Sequence, residues 1–201
     1  MLHTFRADDC QRGTVVMYFC LNCIHSKEEE TRIRITNFLE RTVKEEFLVW
    51  FPKKEVKEKR QGVYETVNRP LFSNYLFIFW DGEREMYFPF LDIARMPTVV
   101  RILRYDDGTH ALKGKDLSFA KWIHMNDGFI KQSKVIVREG QRVHISEGPL
   151  KGFDGNVIKV DKHHKRIVLR FELGGTFTDV NFSADFMYSG SVSNGTDRNQ
   201  I

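Results

Sequence analysis

The sequence has little of what usually identifies an enzyme, a secreted protein or a membrane protein. Its 201 residues include only three cysteines, and no apolar run reaches the roughly 18–20 residues of a membrane-spanning helix. The N-terminal MLHTFRADDCQRG is polar and has no apolar segment typical of a secretory signal. An odd number of cysteines without such a signal indicates reduced thiols, so we expect a cytoplasmic protein with no membrane partner.

The cysteines do not form a recognisable metal or redox motif. Cys10 lies in the N-terminal segment, and Cys20 and Cys23 form one C-x-x-C pair inside the apolar stretch VVMYFCLNC. A structural zinc site needs a second ligand pair at suitable spacing, and a redox C-x-x-C opens a helix after a strand. Neither condition is met. We therefore expect structural thiols, no metal and no cofactor.

Catalytic and phosphate-binding motifs are also missing. In EGPLKGFDGNVIKVD, residues 147–161, the glycine spacing differs from G-x-x-x-x-G-K-[ST], and a strand pattern follows where a phosphate loop needs a helix. Gly148 and Pro149 predict a tight turn, and Gly155 predicts a close backbone approach. No Ser/His/Asp, Cys/His or paired-carboxylate arrangement has a suitable context, so we do not expect an enzyme.

Basic residues exceed acidic ones only slightly, 31 Lys and Arg against 27 Asp and Glu, for a net charge of +4. A local patch matters more for nucleic-acid binding than this sum. Two patches occur: Lys53 to Arg69 holds six basic residues and three acids, and DKHHKR occupies 161–166. The second patch has two interpretations. It is either a basic hairpin tip that contacts a ligand, which would be RNA or an acidic protein, or it is a solvated turn without a partner. A metal bound by its two histidines would need a third ligand, and Asp161 is the only candidate nearby.

The first part of the chain, residues 14–127, predicts an α+β domain. Strand and helix patterns alternate as β-α-β-hairpin-β-α-β-α, which is the ferredoxin-like split βαβ plan with a terminal helix. Ser26 and Glu29 fit a capping box for the first helix. The sequence Gln61-Gly62 predicts the turn of the hairpin.

The second part of the chain has no helical periodicity. QRVHI, GNVIKV, RIVLRFEL, TFTDVNF and DFMYS predict five short strands, which is typical of a small β-barrel. We expect this barrel at 138–188, after a linker at 128–137. Residues 1–13 are expected to be flexible, and the Ser/Gly/Asn-rich tail 189–201 disordered.

The strand pattern LFSNYLFIFW, residues 71–80, is apolar on both faces. One face is expected to pack on the helices of the domain. The other face is expected to be either a second part of the core or an apolar pocket that binds helices of a partner protein. The pocket is considered because exposed apolar patches usually mark interaction sites.

These motifs together resemble the NusG family of transcription elongation and antitermination factors. REGQRVHI followed by EGPLKGFDGNVIKVD resembles the KOW motif, and NRPLFSNYLFIFW with PTVVRILRYDDG resembles the N-terminal NGN domain. The resemblance spans residues 15–188. It implies an NGN domain followed by a five-stranded KOW, or SH3-like, β-barrel. GPLKG with the later VDKHHKR, and the preceding DGFIKQSKVIVREG, are most similar to the specialised antiterminator paralogs called LoaP. The resemblance also implies a bacterial protein.

The resemblance also implies partners and sites. The NGN domain of the family binds the clamp helices of RNA polymerase through an apolar pocket beside upstream DNA. The matching positions in this sequence are Leu71, Phe72, Tyr75, Tyr18 and Phe51. The family contacts the polymerase gate loop near Arg84 and Glu85, although no motif matches there.

For RNA, we expect the basic residues of the hairpin and of the barrel to contact phosphates, as in a leader RNA hairpin. These residues are Lys53, Lys54, Lys57, Lys59, Arg60, Lys151, Lys162, His163, His164, Lys165 and Arg166. The function expected is processive antitermination of specific operons by a monomer. The alternatives are a general NusG-type factor that couples polymerase to the ribosome or a termination factor, a ribosome-associated KOW protein that binds ribosomal protein or RNA, and an enzyme on a ferredoxin-like scaffold.

Overall fold

The computed structural model describes residues 16–137 and 143–188, and for Arg60 and Tyr188 it describes the backbone only. Cys10, the expected flexible residues 1–13 and the expected disordered tail 189–201 lie outside these ranges. The described residues form two compact units. The first contains the chain up to Lys53, Pro70–Phe129 and Glu172–Thr176, and the second contains Lys54–Arg69, Ile130–Phe171 and the residues from Phe177 onward.

In the first part of the chain, the helices and strands alternate as predicted. After residue 128, the described residues form strands and no α-helix. Two 3₁₀ turns lie at Glu85–Tyr87 and Asp154–Asn156. In chain order the other elements are β1 Met17–Cys23, α1 Glu28–Thr42, β2 Phe47–Trp50, β3 Lys53–Arg60, β4 Val63–Pro70, β5 Tyr75–Trp80, α2 Phe90–Ala94, β6 Val99–Ile102, α3 Gly114–Met125, β7 Phe129–Ile130, β8 Ser133–Val137, β9 Val143–Glu147, β10 Val157–Asp161, β11 Arg166–Leu173 and β12 Thr176–Tyr188.

The first unit is built on a four-stranded antiparallel sheet of order β2-β5-β1-β6. The central strands β1 and β5 pair in continuous register from Met17 opposite Trp80 to Asn22 opposite Tyr75. The chain order of the strands and the intervening α1 and α2 give the split βαβ arrangement. The predicted α+β class and the plan of the N-terminal half are therefore confirmed.

The two faces of this sheet are both covered. Phe19 and Leu21 of β1 point to α1, where Ile35 and Leu39 are fully buried against them. The alternate residues of the same strands face α3. Fully burying an apolar side chain of this size contributes about 1.5–3 kcal/mol, so the two layers account for most of the stability of the unit.

Helix α1 begins differently from the prediction. The Ser26/Glu29 capping box is wrong: the helix begins at Glu28, Ser26 has a φ of 63°, and no side chain caps the N-terminus. Glu28, Glu29 and Glu30 instead place three carboxylates in the first turn, where they offset the helix dipole. Glu28 Oε1 also accepts the backbone N–H of Asn74 at 3.0 Å. Glu28 thus makes a tertiary contact, while the start of α1 has no side-chain cap.

The predicted hairpin turn at Gln61-Gly62 is confirmed. Both residues have positive φ, 48° and 87°, as a two-residue turn between twisted strands requires. The two strands of the hairpin, β3 and β4, form a three-stranded sheet of order β4-β3-β7. Residues Lys54–Arg69 of this hairpin belong to the second unit, although the sequence suggested that they project from the first part of the chain.

The main sheet of the second unit has the order β10-β11-β12-β8-β9. The number of strands is as predicted, but their identity is not. TFTDVNF and DFMYS form the single 13-residue strand β12, because Ser183 and Ala184 between them are buried and in register with the sheet. The fifth strand is β8, which lies within the expected linker 128–137 and pairs in parallel with β12. The domain boundaries themselves remain a prediction.

The sheet curls so that its two edges approach each other. Asp154, in the 3₁₀ turn before β10, accepts the backbone N–H of Ile145 in β9 at 2.7 Å. Ile145, Ile167 and Leu169 are fully buried inside the curl. This arrangement agrees with the expected KOW-type barrel.

The glycines of EGPLKGFDGNVIKVD serve the turn geometry, but not at the expected position. Gly148 has a φ of 98°, and a Cβ there would lie 2.8 Å from the Cα of Ser133. Gly155 has no atom within 4 Å of an added Cβ, so the close approach predicted for it is wrong. Gly148 is the residue that makes the close approach, and Leu150 N–H then donates to Ser133 Oγ at 3.1 Å.

We predict that Gly148→Ala lowers stability, because it adds a backbone clash to a left-handed conformation that already disfavours alanine by about 1–2 kcal/mol. Gly155→Ala is the matched control and is expected to change stability by less than about 0.5 kcal/mol. Urea unfolding followed by circular dichroism measures both. Equal effects of the two substitutions would contradict the structural difference between these glycines.

Candidate functional site

An aromatic cluster fills the face of the first sheet that is turned toward α3. The imidazole of His124 lies 4.7 Å from the ring of Trp50 and 4.7 Å from that of Phe79, measured between centroids. The hydroxyl oxygen of Tyr18 lies 2.8 Å from His124 Nδ1. This cluster joins β1, β2, β5 and α3.

Burial controls the protonation of this pair. It raises the pKa of Tyr18, and it lowers the pKa of His124 against the opposing effect of the Asp127 charge. Both groups are therefore neutral near pH 7. With the imidazole proton on Nε2, the Tyr18 hydroxyl donates to Nδ1, and the buried hydroxyl is satisfied.

Three of the five residues predicted to bind polymerase are buried inside the first unit. The exposed fractions of Leu71, Phe72 and Tyr18 are 3%, 5% and 6%. Tyr75 and Phe51 are half-buried and keep part of their rings accessible. The second face of this strand region is thus mostly core, and its accessible aromatic surface is narrower than the sequence suggested.

The aromatic residues of α3 were missed by the sequence analysis. The ring centroid of Phe119 lies 5.4 Å from that of Phe72 and 5.9 Å from that of Phe77. Trp122 packs beside Phe119 at 5.3 Å. The sequence predicted a terminal helix here, but it did not indicate which face of the sheet the helix covers.

Of the two residues near the expected gate-loop contact, Glu85 has an internal role. Its carboxylate accepts the backbone N–H groups of His110 and Ala111. Arg84 is exposed. The gate-loop contact remains a prediction.

The two described cysteines are buried. Burial raises the pKa of Cys23 to about 11 and that of Cys20 well above its usual range. Cys23 Sγ donates to the backbone carbonyl of Asn74 at 3.4 Å. Thiols held protonated in this way are poor nucleophiles and ligands. Within residues 16–137 and 143–188, no group of three His, Cys, Asp or Glu side chains is placed to hold a metal ion.

The predicted RNA-binding residues of the hairpin lie in different surroundings. Lys53 belongs to the first unit and lies 3.8 Å from Glu29 in an ion pair. Lys57 is anchored to the second unit, since its backbone N–H donates to Ser183 Oγ at 2.8 Å. Lys59 is exposed and its ammonium lies 6.0 Å from the ring centre of Tyr64. The side chain of Arg60 lies outside the described part.

Lys54 is the exception among these lysines, because it is half-buried. Its ammonium lies 5.3 Å from the ring centre of Phe182. Burial lowers the pKa of Lys54 to about 8, and the charge of Arg166 adds to this effect.

The DKHHKR segment is a hairpin tip, as predicted, with β10 and β11 paired on either side. Asp161 accepts the backbone N–H of His164 at 2.9 Å and lies 2.8 Å from its Nδ1. The four side chains at the tip are exposed, Lys162, His163, His164 and Lys165. Arg166 begins β11 and is half-buried. Lys151 is exposed on the turn before β10, so the length of that strand separates it from the tip.

The structure therefore brings together two groups of basic residues that the sequence placed in separate domains. The hairpin from Lys54 onward and the 161–166 tip belong to the same unit. Lys159 and Asn181, which the sequence analysis did not select, line a depression with Arg166. Their positions on neighbouring strands become apparent only from the register.

A family model described as transcription termination factor nusG matches residues 17–118, just over half of the chain. The chain belongs to the NusG family. The matched segment contains the whole split βαβ sheet and the start of α3. The protein is accordingly a NusG-type transcription factor, and in the described residues no helix is both long and apolar enough to cross a membrane.

Among solved structures, the NusG of Thermotoga maritima, from a study of its domain interaction, is similar to this chain. It is 18% identical, covers 84% of this chain and 94% of its own, and has a TM-score of 0.49. A likeness at this level supports no transfer of individual residues. No curated protein matches the sequence.

We predict that stability falls as the pH drops through about 6.5, the ordinary pKa of histidine. The pKa of His124 is lower in the folded chain than in the unfolded chain. The unfolded chain therefore binds more protons in this range, and acidification lowers the free energy of unfolding. His124→Gln is expected to flatten this dependence even where it lowers stability at pH 8. Thermal unfolding between pH 5 and 8 measures it. The exposed His163→Gln is the control, and an unchanged slope in His124→Gln would contradict the assignment.

Proposed function

We propose that this NusG-family protein binds elongating RNA polymerase at its clamp helices and promotes processive antitermination of specific operons, with an RNA hairpin as a second ligand. The observation that carries the proposal is the family match over residues 17–118, because this half contains the aromatic face that the resemblance assigns to polymerase. The protein performs no covalent chemistry in this role.

The docking surface proposed for polymerase centres on Tyr75 and Phe51. Both rings are half-buried. Phe51 packs against the core cluster on the α1 side of the sheet, and the buried Phe72, near Tyr75 in the chain, packs on Phe119 of α3. The backbone N–H of Leu71 donates to the carbonyl of Pro52 at 2.8 Å, which ties the end of β4 to the segment that carries Phe51. Rigid, partly exposed aromatic side chains of this kind commonly act as binding anchors.

The RNA-binding surface proposed lies on the second unit. Lys57 and Lys59 of the hairpin and Lys162 and Lys165 of the tip are carried by one compact body, so their fields add. Contacts of this type go to phosphates and lose affinity steeply with salt. They suit a folded RNA that is recognised largely by shape and backbone.

A general NusG-type factor that couples polymerase to a termination factor or ribosome is the second candidate. The description of the matching family model as a termination factor favours it. A simple ribosome-associated KOW protein is disfavoured, because the chain carries the complete split βαβ sheet. Co-sedimentation with polymerase or with ribosomes separates these alternatives.

We predict that Tyr75→Glu weakens binding to a clamp-helix fragment of RNA polymerase about tenfold or more, since a charge replaces an aromatic anchor. Ile33→Glu is the matched control, because Ile33 is 46% exposed on the outer side of α1. Affinity is measured by calorimetry, with circular dichroism as a check of the fold. Equal affinities of the two folded variants would refute the docking surface.

We predict that Lys57→Glu combined with Lys59→Glu weakens RNA-hairpin binding and reduces the slope of log K against log salt concentration by about 1–2, as two phosphate contacts are lost. Lys44→Glu with Lys121→Glu changes the net charge equally on exposed positions of the first unit. Fluorescence anisotropy at several salt concentrations measures both pairs. If the two pairs give the same slope, binding follows net charge and not the hairpin.

A further inference from the structure

The outer surface of the second unit has a depression of about 190 Å³ across strands β10, β11 and β12. Six residues line it, Lys159, Asp161, His164, Arg166, Val168 and Asn181. Lys159 is opposite Val168 and Asp161 is opposite Arg166 in the β10–β11 register. Ile167 and Leu169, which alternate with Arg166 and Val168, point the other way and fill the core. The depression is therefore a fixed feature of the sheet surface.

Arg166 is the unusual residue of this depression. Its Nε atom is buried and has no hydrogen-bond partner within the described part of the chain. A buried donor without a partner destabilises a fold by about 1–3 kcal/mol, and more when it is charged. Such a group needs an explanation, and one explanation is a ligand that accepts its hydrogen bond.

A second cation lies close to Arg166 within the same unit. Lys54 is near enough for the Arg166 charge to lower its pKa, and no carboxylate forms an ion pair with Lys54 among the described residues. Two neighbouring positive charges in a partly buried place repel each other. A bound anion would relieve this repulsion and take the free donor of Arg166.

The one carboxylate in the depression is already engaged. Asp161 binds the backbone N–H and Nδ1 of His164, at 2.9 and 2.8 Å. These bonds lower the pKa of Asp161 and keep it ionised. Arg170, further along the same strand, shows the contrast: both of its donating nitrogens bind Asp179, at 2.7 and 2.9 Å. Within residues 16–137 and 143–188, Arg166 Nε has no such partner.

We propose that this depression binds one phosphate group of an RNA backbone. Arg166 is the central donor, Lys159 and Asn181 supply further donors at the rim, and Lys54 supplies a second positive charge. The fork of a guanidinium matches phosphate oxygens in geometry and charge. The volume of the depression is several times the roughly 30 Å³ that one water molecule occupies, so a tetrahedral anion fits.

The surroundings of the depression favour the phosphate backbone of RNA over a free phosphate ion. The exposed Lys162 and Lys165 of the tip adjoin it along the chain and can contact phosphates on either side. This inference rests on the proposed RNA-binding function, and it names the site at which that function is most sensitive to a single side chain.

Titration of inorganic phosphate into the full-length protein tests the site itself. We expect the Nε–H resonance of Arg166 to shift in a ¹H–¹⁵N NMR spectrum, with saturation, while that of Arg170 stays in place. Chloride at equal ionic strength is the control. Absence of a saturable shift at Arg166 would overturn the site.

Binding of a fluorescently labelled RNA hairpin of about 20 nucleotides tests the RNA assignment. Arg166→Gln is expected to reduce affinity about tenfold or more, as is usual when a charged hydrogen bond is lost. Arg166→Lys keeps the charge without the fork and is expected to recover only part of the affinity. Arg170→Gln, the matched control on the same strand, is expected to change affinity less than twofold.

Thermal unfolding distinguishes a binding site from a structural role. Lys54→Met keeps the aliphatic contact with Phe182 and removes the repulsion with Arg166, so its melting temperature is expected to equal or exceed that of the unmodified chain. Its RNA affinity is expected to fall severalfold. A lower melting temperature with unchanged RNA affinity would show that Lys54 is structural and overturn its place in the site.

The outcomes separate the site from the proposed function. A phosphate shift at Arg166 with RNA affinity unchanged in Arg166→Gln overturns the RNA assignment in favour of free phosphate, while RNA binding by the protein stands. A phosphate shift without any RNA binding by the unmodified chain refutes the proposed function and the RNA source together, and leaves a phosphate site. A shift together with the tenfold loss supports the proposal.

Discussion

The pairing of β1 with β5 is the contact on which the first unit depends. Its register aligns alternate side chains of both strands into two apolar layers, one covered by α1 and α2 and the other by α3. A slip of one residue would exchange these layers and expose both sets. Of the two residues at the centre of the docking surface that we propose, Tyr75 lies opposite Asn22 in this register, and Phe51 packs against the cluster on the α1 side. In our proposal, the same sheet therefore serves both stability and docking.

In the second unit the informative residues are those whose electrostatic interactions are incomplete. Several surface charges of the described chain form simple pairs, such as Arg69 with Glu58 and Arg170 with Asp179. Exposed pairs of this type contribute little to stability. Arg166 and Lys54 differ because they are partly buried and form no ion pair among residues 16–137 and 143–188, which is costly. In our proposal, the fold keeps these two charges because the bound phosphate supplies the counter-charge.

Much of the architecture could be predicted from the sequence because it is encoded locally. Continuous apolar runs rich in β-branched and aromatic residues placed the central strands. Gln61-Gly62 placed the hairpin turn, since few dipeptides adopt two positive φ angles readily. The errors arose where distant contacts override local signals. Ser26 resembles a cap, but α1 begins at Glu28 without a side-chain cap, and Glu28 instead binds the backbone of Asn74, 46 positions away. The burial of Arg166 could not be predicted at all, because an arginine beside a basic turn is exposed by default.

The hydrogen bond from Lys57 to Ser183 joins residues 126 positions apart in the chain. The hairpin is synthesised early, yet its partners in β12 leave the ribosome among the last residues of the described chain. Closing so long a loop is slow compared with forming local turns and helices. During translation the basic hairpin is consequently a solvated two-stranded ribbon that lacks its support, and isolated ribbons of this kind are only marginally stable. The surface that we propose for RNA is therefore complete only once β12 has been synthesised and has paired with its neighbours.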